Sequence, residues 1–276
     1  MEVEMQAKLM RRQGMGALIT GASSGIGESM ARQLGSEGIN LILVARRLDR
    51  LQILGAELKE KYQIEYQAVD ADLSVPHETK RVFERATANG RMVQVLINNA
   101  GMGVYGPFMH YGVEQYSKII QLNVTALMEL TYYFVGHMQG HGKVSYISNV
   151  GSIASFLSVP YFSVYGATKH FVKDFTQTLN FELRKSNISV SLIAPGGTYS
   201  EFTQHSGQVL KKSAHASMMT SELVARIGID GMFKGHRSIV PGFLNGLMVH
   251  FPRFLPAKWM LALNDLAMRG AVDYKK

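Results

Sequence analysis

Short runs of β-branched and leucine-rich residues alternate with longer amphipathic stretches along most of the chain. Residues 17–20, 40–45, 64–69, 93–98, 143–148 and 188–194 are such short runs and read as buried strands, and 238–240 is the candidate for a seventh. Between them, 26–37, 49–62, 77–88, 113–134 and 165–184 repeat their apolar positions every three to four residues, as helices do. Strand-helix alternation predicts an α/β fold with a parallel sheet covered on both faces. In such sheets ligands bind at the carboxyl ends of the strands, so the loops that follow strands are where chemistry is expected. The segment 199–223 has no clear period at its start and is read as a mobile lid or a plain surface excursion.

The first strand runs into Gly21-Ala22-Ser23-Ser24-Gly25-Ile26-Gly27, after which a helix begins. Glycines let the backbone turn tightly and let a pyrophosphate approach without a Cβ in the way. Backbone N–H groups and the positive end of the helix dipole then face the anion. The second strand ends in Ala45, followed by Arg46 and Arg47, where an NAD site would carry an acid for the ribose 2′-hydroxyl. A guanidinium matches a 2′-phosphate instead, which predicts NADP(H), with Arg46 placed first for the role and Arg47 second.

Bulk composition narrows the alternatives. The 276 residues are 46% hydrophobic, enough for one large core. The chain has no cysteine, so disulfides, thiolate catalysis and cysteine-ligated metals are excluded, and nine histidines without HExxH spacing give no reason to expect a metal. The net charge of +8 is dispersed and no nucleic-acid module accompanies it, so no nucleic-acid partner is expected. There is no signal-peptide pattern, and the most apolar stretch, 239–263, is interrupted by Pro252, Pro256, His250, Arg253 and Lys258. The expectation is a cytoplasmic protein.

From about Met15 to Val240 the chain resembles a short-chain dehydrogenase/reductase, of the acyl-reductase-like or hydroxysteroid-dehydrogenase-like kind. Thr20 to Gly27, Asp72-Leu73, Asn98-Asn99-Ala100-Gly101, Asn123, Ser152, Tyr165-Gly-Ala-Thr-Lys169 and Pro195-Gly196 occur in that family's order and at its spacings. The resemblance implies a single-domain Rossmann fold with a doubly wound seven-stranded parallel sheet. It divides the chain into an N-terminal extension (1–14), a cofactor-binding and catalytic domain (15–242) and an apolar helical tail on the same domain (243–276). It also implies that Asp72 and Leu73 line the adenine pocket. Asn98, Asn99, Ala100 and Gly101 pass beneath the adenosine ribose and help fix the central strand, and Pro195, Gly196, Thr198 and Ser200 meet the nicotinamide end.

Tyr165 and Lys169, four apart on a predicted helix, share one face. A neighbouring ammonium favours a phenolate, and bringing a phenol from pH 10 to 7 takes about 4 kcal/mol. By the resemblance, Tyr165 exchanges a proton with the substrate oxygen, Ser152 hydrogen-bonds that oxygen, and Lys169 also binds the nicotinamide ribose. Asn123 holds a water behind Lys169. Met102, Val104, Tyr105, Phe108, Phe156, Leu157, Tyr161 and Phe202 fall in loops expected near the nicotinamide and suggest an apolar ketone, 3-oxoacyl or steroid-like substrate. A homodimer or homotetramer is implied by the resemblance. The apolar side chains of the tail, among them Phe243, Phe251, Phe254, Leu255 and Trp259, could cover the pocket, bury at a subunit interface or touch a membrane. Two alternatives are a non-catalytic NADP-binding regulator and a lipid-surface protein that works through the tail.

Overall fold

A computed structural model describes residues 12–215, 218–250 and 256–274. Seven strands form one parallel sheet: β1 (Gly16–Thr20), β2 (Asn40–Ala45), β3 (Tyr66–Asp70), β4 (Val95–Asn98), β5 (Ser145–Val150), β6 (Ile188–Ile193) and, further along the chain, β8 (Ser238–Ile239). Their spatial order is β3-β2-β1-β4-β5-β6-β8. The order reverses between β1 and β4, so a crevice opens at the carboxyl ends of those two strands.

Alternate residues of each strand feed opposite layers, which is why the central strands β1, β2 and β4 are apolar over most of their length. On one face Ala17, Ile19, Leu41, Leu43, Val95 and Ile97 pack against α1 (Gly25–Ser36) and α2 (Leu48–Tyr62) through Met30, Leu34, Leu51 and Leu58. On the other, Leu18, Ile42, Val44 and Leu96 meet α3 (Glu78–Thr87) and α5 (Leu127–His141) through Val82, Leu130, Phe134 and Met138. The helix expected over 113–134 is longer and not uniform. α4 (Val113–Ile120) passes through a π-helical segment (Gln121–Ala126) into α5. α6 (Ser163–Glu182) carries the Tyr/Lys pair.

The segment read as a lid contains α7 (Glu201–His205), β7 (Gln208–Leu210) and α8 (Lys212–His215). It leads into α9 (Ser221–Phe233), a helix that the hydrophobic pattern does not reveal. α9 buries Val224, Ala225, Ile229 and Met232 against the sheet and α1, and its start is capped by Thr220, whose hydroxyl accepts from the Leu223 N–H at 3.3 Å. The tail forms α10 (Phe243–His250) and α11 (Ala257–Ala271) and ends in β9 (Val272–Tyr274), which pairs antiparallel with β7. Residues 1–11 of the N-terminal extension, and Phe251, Phe254 and Leu255 of the apolar tail, lie outside the described residues. Among the described residues no helix is long and apolar enough to cross a membrane.

Candidate active site

The glycine turn is held by the end of the neighbouring strand. Thr20 Oγ1 accepts from the backbone N–H groups of Asn99 and Ala100 at 3.0 and 2.9 Å, and Asn99 Nδ2 donates to the carbonyls of Thr20 and Gly21 at 2.9 and 3.3 Å. Gly21 sits at φ +66°, and a Cβ there would stand 2.8 Å from Asn99 Nδ2, so both its conformation and its close neighbour require glycine. Ser24 occupies the N-cap of α1 without capping it through its side chain. That hydroxyl and Ser23 Oγ instead accept from Arg47 Nη2 at 2.9 and 3.0 Å.

The two arginines therefore divide differently from the expectation. Arg47, the N-cap residue of α2, turns in towards the glycine loop. Arg46 is 71% exposed, and its side chain comes within 4.0 Å of Asp72. Asp72 Oδ1 accepts from the N–H and hydroxyl of Ser74 at 3.0 and 2.6 Å, which forms the turn after β3, while Leu73 is buried in the core layer beside Val69.

The loop after β5 is stitched to β6: Gly151 N donates to Ile193 O at 2.7 Å and Ile153 N to Pro195 O at 2.8 Å. Ser152 opens a 3-10 turn (Ile153–Ser155), its hydroxyl accepting from Ala154 N at 3.1 Å while Ser155 Oγ accepts from Ser152 N at 3.1 Å. This fixes the Ser152 hydroxyl, which acts on the Tyr165 phenol by drawing its titration down. Lys169 Nζ lies 5.7 Å from the centre of the Tyr165 ring and donates to Val150 O at 2.8 Å. Both side chains are buried. Burial pushes the phenol up to about 12, only partly opposed by the Ser152 hydroxyl, and brings Lys169 down to about 8. The protein alone therefore holds a neutral phenol, the opposite direction from the lowering expected of a nearby ammonium.

Asn123 lies in the π-helical segment and is buried. Its Oδ1 accepts from Met102 N at 2.9 Å, and its Nδ2 donates to Met102 O at 2.8 Å and to Thr168 Oγ1 at 3.0 Å. It thus ties the loop after β4 to the helix that carries Lys169. In the loop after β6, Thr198 Oγ1 donates to Gly196 O at 3.0 Å and Ser200 Oγ caps α7 by accepting from Phe202 N at 3.4 Å. Gly196, next to Pro195, lies so close to Asn245 that a Cβ would meet that side chain at 2.5 Å.

Of the apolar residues expected near the site, Tyr105, Tyr161 and Phe202 gather around Tyr165 with Phe162, Leu210, Met268 and Val272. The Phe202 ring is 5.4 Å from that of Tyr165. Phe156 instead packs beside Leu127, Val172 and Leu192, and Phe108 is exposed and stacks on Tyr116. Two polar arrangements complete the site, and the second has no sequence signal. Asn98 Nδ2 donates to Asn149 Oδ1 at 2.9 Å and to Thr131 Oγ1 at 3.0 Å, and Asn149 Nδ2 donates to Thr176 Oγ1 at 3.0 Å, a buried polar chain across the centre of the sheet. Glu201, in the lid, binds Arg47 and Arg50 at 2.7 Å each.

The family model described as short chain dehydrogenase matches residues 16–211. A 7beta-hydroxysteroid dehydrogenase of Mediterraneibacter gnavus is 33% identical over 193 residues, 69% of this chain and 71% of that protein. A very-long-chain 3-oxoacyl-CoA reductase of Rattus norvegicus is 26% identical over 263 residues, 94% of this chain and 82% of that protein. Among solved structures, a short-chain dehydrogenase from Sphingobium yanoikuyae in complex with NADPH is similar at 32% identity and a TM-score of 0.77, covering 93% of this chain and 94% of that one. With the seven-stranded Rossmann sheet, the glycine turn at its switch point and this match over most of its length, the chain is an oxidoreductase that uses a nicotinamide cofactor and belongs to the short-chain dehydrogenase/reductase family.

Proposed function

We propose that the protein transfers a hydride between NADP(H) and the carbonyl or alcohol carbon of an apolar substrate, a bulky ketone, a 3-oxoacyl chain or a steroid-like ring. The observation that carries this is the trio at the end of β5: the Ser152 hydroxyl acting on the buried Tyr165 phenol, with the buried Lys169 one helical turn away. The relatives named for hydroxysteroid and 3-oxoacyl substrates, together with the aromatic and aliphatic wall around Tyr165, favour an apolar substrate.

The residues at the crevice suit a phosphorylated dinucleotide. Ala45 leaves no carboxylate at the strand end, and Arg47, Ser23 and Ser24 offer a donor fork and two hydroxyls beside the glycine turn. Gly21, Gly25, Ile26 and Gly27 would hold the pyrophosphate at the start of α1. When bound, the nicotinamide supplies or takes the hydride. In reduction Tyr165 gives its proton to the substrate oxygen, and burial ensures that the phenol still carries one at neutral pH. Ser152, fixed by its turn, donates to the same oxygen and stabilises the charge that develops there. Lys169, anchored on Val150 O, keeps further N–H donors for ribose hydroxyls, and in oxidation its cation favours the phenolate. Asn123 would hold the backbone of Met102 and a water behind Lys169.

The test is NADPH oxidation, with the alcohol product identified, against ketones of graded bulk. Turnover confined to small hydrophilic carbonyls, or absent throughout, would end this reading.

We further propose that two copies pair through the apolar groove between α4 and α6, lined by Phe108, Ile120, Val124, Val164, Ala167 and Phe171. Sedimentation equilibrium of the wild type and of Phe171→Glu tests this, and a monomer in both would refute it. A second reading, peripheral contact with a membrane, is favoured by Phe243, Leu244, Trp259 and Leu266, which are 65–81% exposed on α10 and α11. Co-sedimentation with vesicles containing anionic lipid tests it, and protein left wholly in the supernatant would dismiss it.

A further inference from the structure

Among the contacts that hold the lid, one carboxylate reaches the arginines beside the glycine turn. Glu201 opens α7, and its two oxygens lie 2.7 Å from Arg47 Nη1 and 2.7 Å from Arg50 Nη1. His205 Nε2 stands 3.9 Å from the same carboxylate. Arg47 meanwhile donates through Nη2 and Nε to Ser23 Oγ and through Nη2 to Ser24 Oγ, so one guanidinium joins the glycine turn to the lid. Ser200, the residue before Glu201, approaches the turn so closely that a Cβ at Gly25 would stand 3.0 Å from its own Cβ. Arg50, and after it Arg47, hold the Glu201 carboxyl well below the usual range, at about 2, so it is an anion throughout the pH range of ordinary assays.

We propose that Glu201 is an internal anion that competes with the cofactor's 2′-phosphate for Arg47, so that phosphate binding releases the lid from the crevice. This rests on the NADP(H) reading above. A carboxylate and a phosphate both present paired oxygens to the planar guanidinium fork, and the phosphate carries the greater charge. In this structure the donors that face outward from Arg47 are taken by Glu201, while the inward ones hold Ser23 and Ser24. Competition for one group makes the coupling reciprocal: if phosphate loosens the lid, loosening the lid tightens phosphate. Glu201 thereby sets both the strength of NADP over NAD selection and the timing of lid release.

The test uses the full chain and two ligands that differ only in the 2′-phosphate, adenosine 2′,5′-bisphosphate and AMP, titrated by calorimetry against the wild type and Glu201→Gln. We expect Glu201→Gln to tighten the bisphosphate about two- to ten-fold, the range for removing one or two half-exposed ion pairs, with AMP unchanged. Tryptic cleavage after Lys211 or Lys212 should accelerate in ligand-free Glu201→Gln, and in the wild type only when the bisphosphate is added. A bisphosphate affinity that is unchanged or weaker in Glu201→Gln, while the wild type still prefers it to AMP, overturns the competition and leaves the NADP(H) reading standing. A wild type that binds the two ligands alike overturns the NADP(H) reading itself.

Discussion

The ammonium of Lys169 stands 5.7 Å from the centre of the Tyr165 ring, and both groups are buried, so their titrations are driven apart, the phenol up to about 12 and the amine down to about 8. At neutral pH both carry their protons, so in the proposed mechanism the proton for carbonyl reduction is in place before substrate arrives. Tyr165→Phe removes that proton while keeping the ring that packs on Phe162 and Phe202. We expect kcat to fall by about 10²–10⁴-fold or more, with NADPH binding, followed by nicotinamide fluorescence, little changed.

Lys169 also sets a pH dependence of stability. Its folded pKa lies below the ordinary lysine value, so between about pH 8 and 10.5 the unfolded chain binds more protons, and stability rises with pH through that window. Tyr165 has the opposite sign: the folded chain keeps its proton up to about 12, so its contribution falls as pH rises from about 10 to 12. Between pH 7 and 9.5 the unfolding free energy of the wild type should gain about 2 kcal/mol relative to Lys169→Met. Urea melts at the two pH values measure this, and parallel changes in both proteins would show that the lysine is not responsible.

Arg47, rather than the exposed Arg46, joins the glycine-turn serines. Arg47→Ala should weaken NADPH about ten-fold or more while changing NADH little, and Arg46→Ala should have the smaller effect. Fluorescence titration with both dinucleotides reads the ratio. A larger loss from Arg46→Ala would reverse the assignment.

The chain from Thr131 through Asn98 and Asn149 to Thr176 spans β4 and β5 in the interior. Asn149→Ala strips one partner from Asn98 and one from Thr176, leaving buried polar groups unsatisfied, and should destabilise the fold by about 2–4 kcal/mol. Pairing it with Asn98→Ala should cost less than the sum of the two single changes, as expected of residues in one network. Strict additivity in denaturant melts would mean that the network is not cooperative.

Val272, from the last strand, belongs to the cluster that surrounds Tyr165. Val272→Ala enlarges that wall and should shift the ratio of kcat/KM for bulky over small ketones by about three- to ten-fold in favour of the bulky ones. An unchanged ratio would remove β9 from the substrate pocket.

The parts of this fold that were readable in the sequence are those whose signal is local. Strands buried on both faces must be apolar over most of their length, and the strand-glycine-helix succession at Thr20 to Gly27 describes its own geometry. Tyr165 and Lys169 are placed together by helical spacing alone. What was hidden depends on distant partners. α9 escaped notice because Gly228 and Gly231 dilute its helical pattern; they are there because the helix lies close on Ile193 and Ile239, where a Cβ would stand 2.8 and 2.7 Å away. Whether Arg46 or Arg47 turns inward is decided by where α2 begins, one residue's difference that no pattern fixes. Glu201 had no sequence signal, since its partners lie about 150 residues away.

The short ribbon of β7 and β9 makes the lid and the tail helix neighbours in one hydrogen-bonded unit, with Leu210 opposite Val272 and Gln208 opposite Tyr274. Asn264 Nδ2 donating to Ser158 O at 2.8 Å and Arg269 Nη2 to Tyr161 Oη at 3.0 Å extend that unit to the loop that precedes α6. Any outward movement of the lid must therefore carry α11 with it or break these bonds. Deuterium uptake along α11 becomes a remote gauge of whether the entrance stands open or shut, readable without a probe in the pocket itself.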